Sequence, residues 1–248
     1  MKKVAYISGT RADYGIMGNL LKKLDGTGNF DVKIIATGMH LMEKFGSSIN
    51  QIKEDDLEII KVNSVFKDDK ASSMLYFLSD FIEKLTKELE RLKPDFIFLL
   101  GDRIEMLGAA IAGTYLSIPI VHFHGGEISS TADEIARHAI TKLSHIHLCA
   151  TDESAERIIK MGEDAFRVKV VGSPSLDNIK SMKLLPKEKI CKKFNLDPYK
   201  PIIVVLQHPV TLEMDKSYEQ MSHTLEAVKE YPAVIIYPNA DSGNEGII

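Results

Sequence analysis

The sequence has almost no cysteine, no surplus of positive charge and no long apolar run, and each shortage removes a class of protein. Two cysteines among 248 residues, Cys149 in an apolar stretch and Cys191 in a charged one, make neither a disulfide framework nor a metal-binding spacing. A reducing, cytoplasmic setting is expected. A formal charge of -4 provides no basic field that would select nucleic acid or an anionic membrane. The opening MKKVAYISGT places two lysines before an apolar run far too short for a secretion signal or a membrane span. Internal repeats and low-complexity tracts are missing as well.

What is present suits a globular chain, with 44% apolar and 27% charged residues. Apolar runs predict strands at 3–8, 31–37, 57–62, 95–100, 118–123, 146–150 and 167–171. Segments of helical period predict helices at 14–24, 41–53, 74–93, 104–116, 133–144 and 152–161. This alternation predicts an α/β fold with a doubly wound parallel sheet, covered on both faces. After VVGSPSLDNI the pattern pauses around Pro174 and Pro186, then resumes with a helix at 187–194, a strand in PIIVVLQHP, a helix near 217–230 and a strand in AVIIYPNAD. The expected division is therefore a Rossmann-like domain over 1–175 and the beginning of a second over 176–248. Two strands cannot bury both faces of such a sheet, so the second domain is expected to be incomplete and the chain a fragment or a truncated form.

Doubly wound sheets bind ligands outside the carboxyl ends of their strands. Here those ends read SGTRADYG, TGMH, GDRIE and HFHGGE, each combining glycine with a charged or imidazole group. GTRADYG lacks the spacing of a Walker A loop or of G-x-G-x-x-G. It is either an ordinary tight turn or one whose unpaired helix-terminal amides and Arg11 hold phosphate oxygens. Asp102 in GDRIE, beside Arg103 and Glu105, either caps the helix beginning near Ile104 or serves chemistry. In an extended strand His122 and His124 share a face, and Gly125-Gly126 then turns the chain toward Glu127. Metal binding is disfavoured, because nothing with zinc-like spacing completes H-x-H. Asp133, Arg137 and Ile140 fall on one helical face, and Glu134 with His138 forms an i, i+4 pair that ordinary helix salt bridging also explains. His208, at the end of the first strand of the second domain, is either structural or catalytic.

GTRADYG, GDRIE, HGGE, DEIARHAITKLSH, VGSPSLDNI and LQHPVT, in this order, resemble the hydrolysing UDP-N-acetylglucosamine 2-epimerases, including those of bacterial sialic-acid pathways. The resemblance runs from residue 3 to the end. It implies a GT-B-like fold of two Rossmann-like domains, with the nucleotide held mostly by the second. The family's later diphosphate and ribose segment has no counterpart here.

The resemblance further implies functional roles for Arg11, Asp102, Asp133 and His208, with Arg103, Glu127 and His138 in the matching motifs. His124 stands where several members carry a glutamate implicated in catalysis. His40, Glu134 and Arg137 complete the expected substrate contacts. The implied reaction eliminates a nucleoside diphosphate through a glycal and rehydrates it, giving ManNAc and UDP with no metal or other cofactor. A GDP-linked or diacetamido sugar, glycosyl transfer on the same architecture and a non-catalytic binding module are the rivals. A homodimer or homotetramer is the implied assembly.

Overall fold

The computed structural model describes residues 1–46, 48–68, 70–129, 132–239 and 241–248, with the backbone alone at 44, 51 and 211. The chain packs as two units, one formed by 1–67 with 74–180 and the other by 68–73 with 181–248.

In the first unit seven parallel strands lie in the order β3-β2-β1-β4-β5-β6-β7. They are β1 (Lys2–Ser8), β2 (Phe30–Ala36), β3 (Glu58–Lys61), β4 (Phe96–Leu100), β5 (Ile120–Phe123), β6 (Ile146–Cys149) and β7 (Val168–Val170). The strand order reverses between β1 and β4, and a crevice at the carboxyl end of such a sheet opens at that point. Helices α1 (Arg11–Asp25), the single turn α2 (Ile49–Ile52), α3 (Ala71–Leu92), α4 (Ile104–Tyr115), α5 (Ala132–Leu143), α6 (Asp152–Lys160) and α7 (Pro174–Ser181) connect the strands or follow the last of them.

The central strands are apolar on both faces because both are meant for burial. Val4, Ala5, Tyr6 and Ile7 have no exposed surface. Helix α3 sets Phe77, Phe81, Leu85 and Leu89 on one stripe, all buried. Each contributes roughly 1.5–3 kcal/mol of burial. Against α3 lies α4, whose glycines permit a close approach. A Cβ at Gly108 would stand 2.8 Å from Leu78 Cδ1 of α3, whereas Gly113 lets α4 approach the sheet, where a Cβ would stand 2.9 Å from Ile97 Cδ1 of β4. This fit fixes where the N-terminus of α4 meets the strand ends. On the other face Leu20 and Leu24 of α1, Phe98, Phe123 and Leu148 of the sheet and Leu176 of α7 line an apolar hollow of about 430 Å³.

Two predicted elements differ. The helix expected over 41–53 is a series of short turns, 3-10 at Gly38–Leu41, Glu43–Phe45 and Lys53–Asp55, with only Ile49–Ile52 α-helical. Gly46 at φ +79° breaks any continuous helix there. Conversely, the pause at Pro174 is the start of α7, where proline at the first helical position removes only an amide that would have no partner anyway.

The second unit holds α8 (Lys187–Lys193), β8 (Ile203–Leu206), α9 (Ser217–Val228) and β9 (Ala233–Ile236), with β8 and β9 paired in parallel. Val205, Met221 and Ile247 form its small core.

Candidate active site

At the end of β1 the chain folds around a carboxylate rather than around an empty cradle. Thr10 caps α1 and, with Asp13, closes a capping box. Asp13 Oδ2 accepts from the amides of Gly9 at 3.0 Å and Thr10 at 2.7 Å and from Thr10 Oγ1 at 2.9 Å, while Oδ1 accepts from Ser8 Oγ at 2.5 Å and Tyr6 OH at 3.2 Å. Burial raises the Asp13 carboxyl above its ordinary range, opposed by the hydrogen bonds from Ser8 and Thr10 and by the charge of Arg103. The reading of this turn as unpaired amides awaiting phosphate is therefore corrected for Gly9 and Thr10, whose amides are already taken. Arg11 lies exposed on the first turn of α1.

Beneath this turn His40 has no exposed surface, with Nε2 2.8 Å from Ser8 Oγ and Nδ1 2.8 Å from Ser48 Oγ. Burial lowers its pKa to about 4, so the ring is neutral at neutral pH. With both nitrogens occupied and no open face, His40 braces the turn and is not presented to a ligand, unlike its expected role as a substrate contact.

The ends of β1, β2 and β4 meet at Glu105, which is completely buried in the first turn of α4. A Cβ at Gly9 would stand 2.5 Å from Glu105 Oε1, and one at Gly38, whose φ is +56°, 2.9 Å. Glycine is needed at both positions for the strand ends to close over this carboxylate. Arg103 reaches it twice, Nε to Oε2 at 3.2 Å and Nη2 to Oε1 at 3.4 Å.

Asp102 is not the cap of α4. Arg103 holds that position, without a side-chain capping bond, and Asp102 instead faces Arg137 of α5 in a short ion pair. The same guanidinium donates through Nη1 to the Glu127 carbonyl at 2.9 Å. Arg137, buried to 7% exposure, thus ties the end of β4 to the turn after β5.

That turn also departs from the extended reading. His122 is within β5 and fully buried, with Nε2–H donating to the Gly101 carbonyl at 2.7 Å and Nδ1 accepting from Thr141 Oγ1 at 3.2 Å. Burial brings its pKa down to about 4. His124 lies one residue beyond the strand at φ 57°, so the two imidazoles do not share a strand face. Its Nδ1 is 3.8 Å from Glu127 Oε1. Gly126, at φ +78°, is pressed against α6, and Arg157 donates to its carbonyl.

On α5, Asp133 stands one turn before Arg137. Glu134 accepts from the Ser129 amide at 2.7 Å and lies 3.9 Å from His138 Nε2. Among the described residues, three buried polar atoms of this region have no protein partner: His124 Nε2, Arg137 Nε and His138 Nδ1. Unmet buried groups of this kind are where a polar ligand or water is expected. Arg137 thus links Asp102 at the end of β4 to the turn after β5 that carries His124 and Glu127, while Asp133, Glu134 and His138 stand on the same helix as Arg137. Asp13 and Glu105 occupy the neighbouring end of β1.

His208 belongs to the second unit, where it lies exposed beyond β8 and accepts at Nδ1 from the Asn239 amide at 3.1 Å. His147 is structural, buried against Glu163, which also binds Lys142 and Arg167. Among the described residues no three metal-ligating side chains are grouped to hold an ion, and no helix is long and apolar enough to cross a membrane.

The order-reversed parallel sheet, with polar groups massed at its carboxyl edge and a second parallel pair following, defines a GT-B-like α/β protein. The same fold occurs in the UDP-GlcNAc 2-epimerase of Neisseria meningitidis bound to UDP-GlcNAc, with TM-score 0.77 and 19% identity over 99% of this chain and 68% of that one. The S. aureus MnaA–UDP structure shares it as well, with TM-score 0.77 and 19% identity over 100% of this chain and 65% of that one.

The family model for UDP-N-acetylglucosamine 2-epimerase matches residues 22–248, and the chain belongs to that family. A relative from Legionella pneumophila, UDP-N,N'-diacetylbacillosamine 2-epimerase (hydrolyzing), is 40% identical over 98% of this chain and 65% of its own length. UDP-N-acetylglucosamine 2-epimerase of Neisseria meningitidis serogroup B is 32% identical over 100% of this chain and 66% of its own. The chain spans about 65% of the length of the curated relatives it matches.

Proposed function

We propose that the chain carries the sugar-reacting half of a hydrolysing 2-epimerase for a UDP-linked 2-acetamido hexose, giving from UDP-GlcNAc and water ManNAc and UDP. The observation that carries this reading is Arg137, which joins the Asp102 carboxylate at the end of β4 to the Glu127 backbone in the turn after β5. The reaction needs acid and base groups on two faces of one ring. Departure of the diphosphate from C1 gives the ring oxocarbenium character and acidifies C2–H, and a base then removes that proton to leave a glycal. Water adds at C1 while a proton reaches C2 from the opposite face. Asp102, Glu127 and Asp133 supply the carboxylates, and Arg11, Arg103 and His138 are contacts to the substrate.

The second unit, with its parallel β8 and β9, serves nucleotide binding, and His208 acts on the leaving diphosphate. The enzyme works in the cytoplasm as a homo-oligomer, within sialic-acid or related nonulosonic-acid synthesis. A diacetamido sugar is the second reading, favoured by the 40% identity to the diacetylbacillosamine enzyme against 32% to the UDP-GlcNAc enzyme.

Incubation with each UDP-sugar in deuterated water tests both. UDP release with deuterium at C2 of the freed sugar is expected, faster with the true substrate. Transfer without C2 exchange would point to a glycosyltransferase. Tight binding with no turnover would point to a binding module.

A further inference from the structure

We propose that Glu105 is a positioning residue, which holds the Arg103 guanidinium where the leaving diphosphate meets it; this assignment rests on the 2-epimerase reading above. The Glu105 side chain has no exposed surface, while that of Arg103 is 17% exposed. The two are joined along one edge of the guanidinium, Nε to Oε2 at 3.2 Å and Nη2 to Oε1 at 3.4 Å. A grip on two donors fixes the plane of the guanidinium as well as its place. Burying a carboxylate is costly, and an apolar side chain of similar volume would serve the core at least as well. What the carboxylate adds is the hold on Arg103.

The backbone is shaped around this carboxylate. Gly9 after β1 and Gly38 after β2 leave the space it fills, since a Cβ there would stand 2.5 Å and 2.9 Å from Oε1. Gly38 also has φ +56°, where other residues are strained. The charge of Arg103 reaches the groups beside it. Burial raises the Asp13 carboxyl, and Arg103 is one of the influences opposing that rise. Burial lowers the His40 pKa, with Glu105 opposing and Arg103 reinforcing. Arg103 is thus the cation of a group that holds two buried carboxylates and a neutral imidazole.

Departure of the diphosphate places negative charge on the oxygen released from C1. A guanidinium already fixed in place meets that charge without reorganising, and a donor of this kind lowers the barrier most. Asp102, the residue before Arg103, is turned to Arg137 instead. Two neighbouring residues at the end of β4 thereby divide the work, Asp102 serving the sugar and Arg103 the diphosphate. Glu105 touches neither the substrate nor the reacting atoms and acts through Arg103.

The test measures kcat and KM for UDP release, from the UDP-sugar turned over faster, in wild type, Glu105→Gln, Arg103→Met and the double variant. Glutamine keeps the volume and removes the charge. It is expected to lower kcat by on the order of 10–10²-fold, with a smaller change in KM, against about 10²–10³-fold for outright loss of such a donor. In the Arg103→Met background the same substitution should cost less than about twofold. A loss of equal size in both backgrounds overturns the assignment, because a carboxylate that only supports the fold acts whether or not Arg103 is present. A Glu105→Gln variant within a few-fold of wild type overturns it as well.

NMR of the Arg103 Nε–H group in the 248-residue chain, its signal identified by loss in Arg103→Lys, judges the pair on the wild type alone, should Glu105→Gln fail to fold. At pH 7 this proton should exchange with water on the order of tenfold more slowly than that of the exposed Arg11. It should also shift when UDP is added, with binding followed separately by the phosphorus resonances of UDP. Exchange as fast as that of Arg11 overturns the pair, and binding that leaves the signal unmoved overturns its role toward the diphosphate. If UDP neither binds nor is released from a sugar, the epimerase reading itself falls, while the exchange rate still decides whether Glu105 holds Arg103.

Discussion

Replacing Arg137 by methionine keeps the bulk of the side chain and removes both of its polar attachments. The Arg137 side chain is 9% exposed and that of Asp102 22%, so the broken pair would leave a carboxylate that water reaches only in part. Breaking a fully buried pair costs about 3–5 kcal/mol, and partial rehydration of Asp102 reduces that. Loss of the charged donor to the Glu127 carbonyl adds to it, for a combined destabilisation of about 2–4 kcal/mol. In a unit of this size each kcal/mol lowers the midpoint by about 2–4 °C, giving a fall of roughly 4–16 °C.

Urea unfolding followed by circular dichroism at pH 7 for wild type, Arg137→Met, Asp102→Asn and the double variant gives the coupling directly. A coupling of about 1–3 kcal/mol is expected. Strict additivity, within about 0.5 kcal/mol, would refute the idea that Arg137 works through Asp102. Lysine at position 137 should recover only part of the loss, since a single ammonium lacks the planar fork that serves two acceptors.

Two further outcomes follow from the site geometry. His40 and His122 take a proton at about 4 in the folded chain and at 6.5 when unperturbed. The unfolded chain therefore binds more protons between these values. Stability is complete above pH 6.5 and lost as pH falls toward 4, by up to about 3 kcal/mol per ring. A urea midpoint that stays constant from pH 7 to pH 5 would contradict the burial of both. Gly126→Ala should cost roughly 2–5 kcal/mol, because its Cβ would overlap the Ser154 carbonyl oxygen at a φ of +78°. Gly101→Ala has a similar φ of +74° but open space around it and should lose only about 1–2 kcal/mol. Equal losses in thermal melts of the two variants would mean that α6 does not constrain the turn.

The seven strands of the first unit were legible because a sheet buried on both faces must be written as short, nearly continuous apolar runs. The segment 41–53 misled because its spacing mimics a helix, while Gly46 in a left-handed conformation interrupts the chain. Pro174 read as a stop although proline is also a favoured start. In the candidate site, Asp102 and the HGGE turn were visible as polar residues at strand ends. The Arg137 bridge was not, since it spans 35 residues to Asp102 and no local period encodes such a contact. The occupied turn after β1 could have been found, because Thr10-x-x-Asp13 has the spacing of a capping box.

That turn has a consequence for how a ligand would be met. Ser8, Gly9 and Thr10 are drawn around the chain's own Asp13, so the shape of the loop is set by internal hydrogen bonds and asks nothing of a ligand. Capture would need no local ordering there, and the entropy lost on binding would come from the ligand and from other segments.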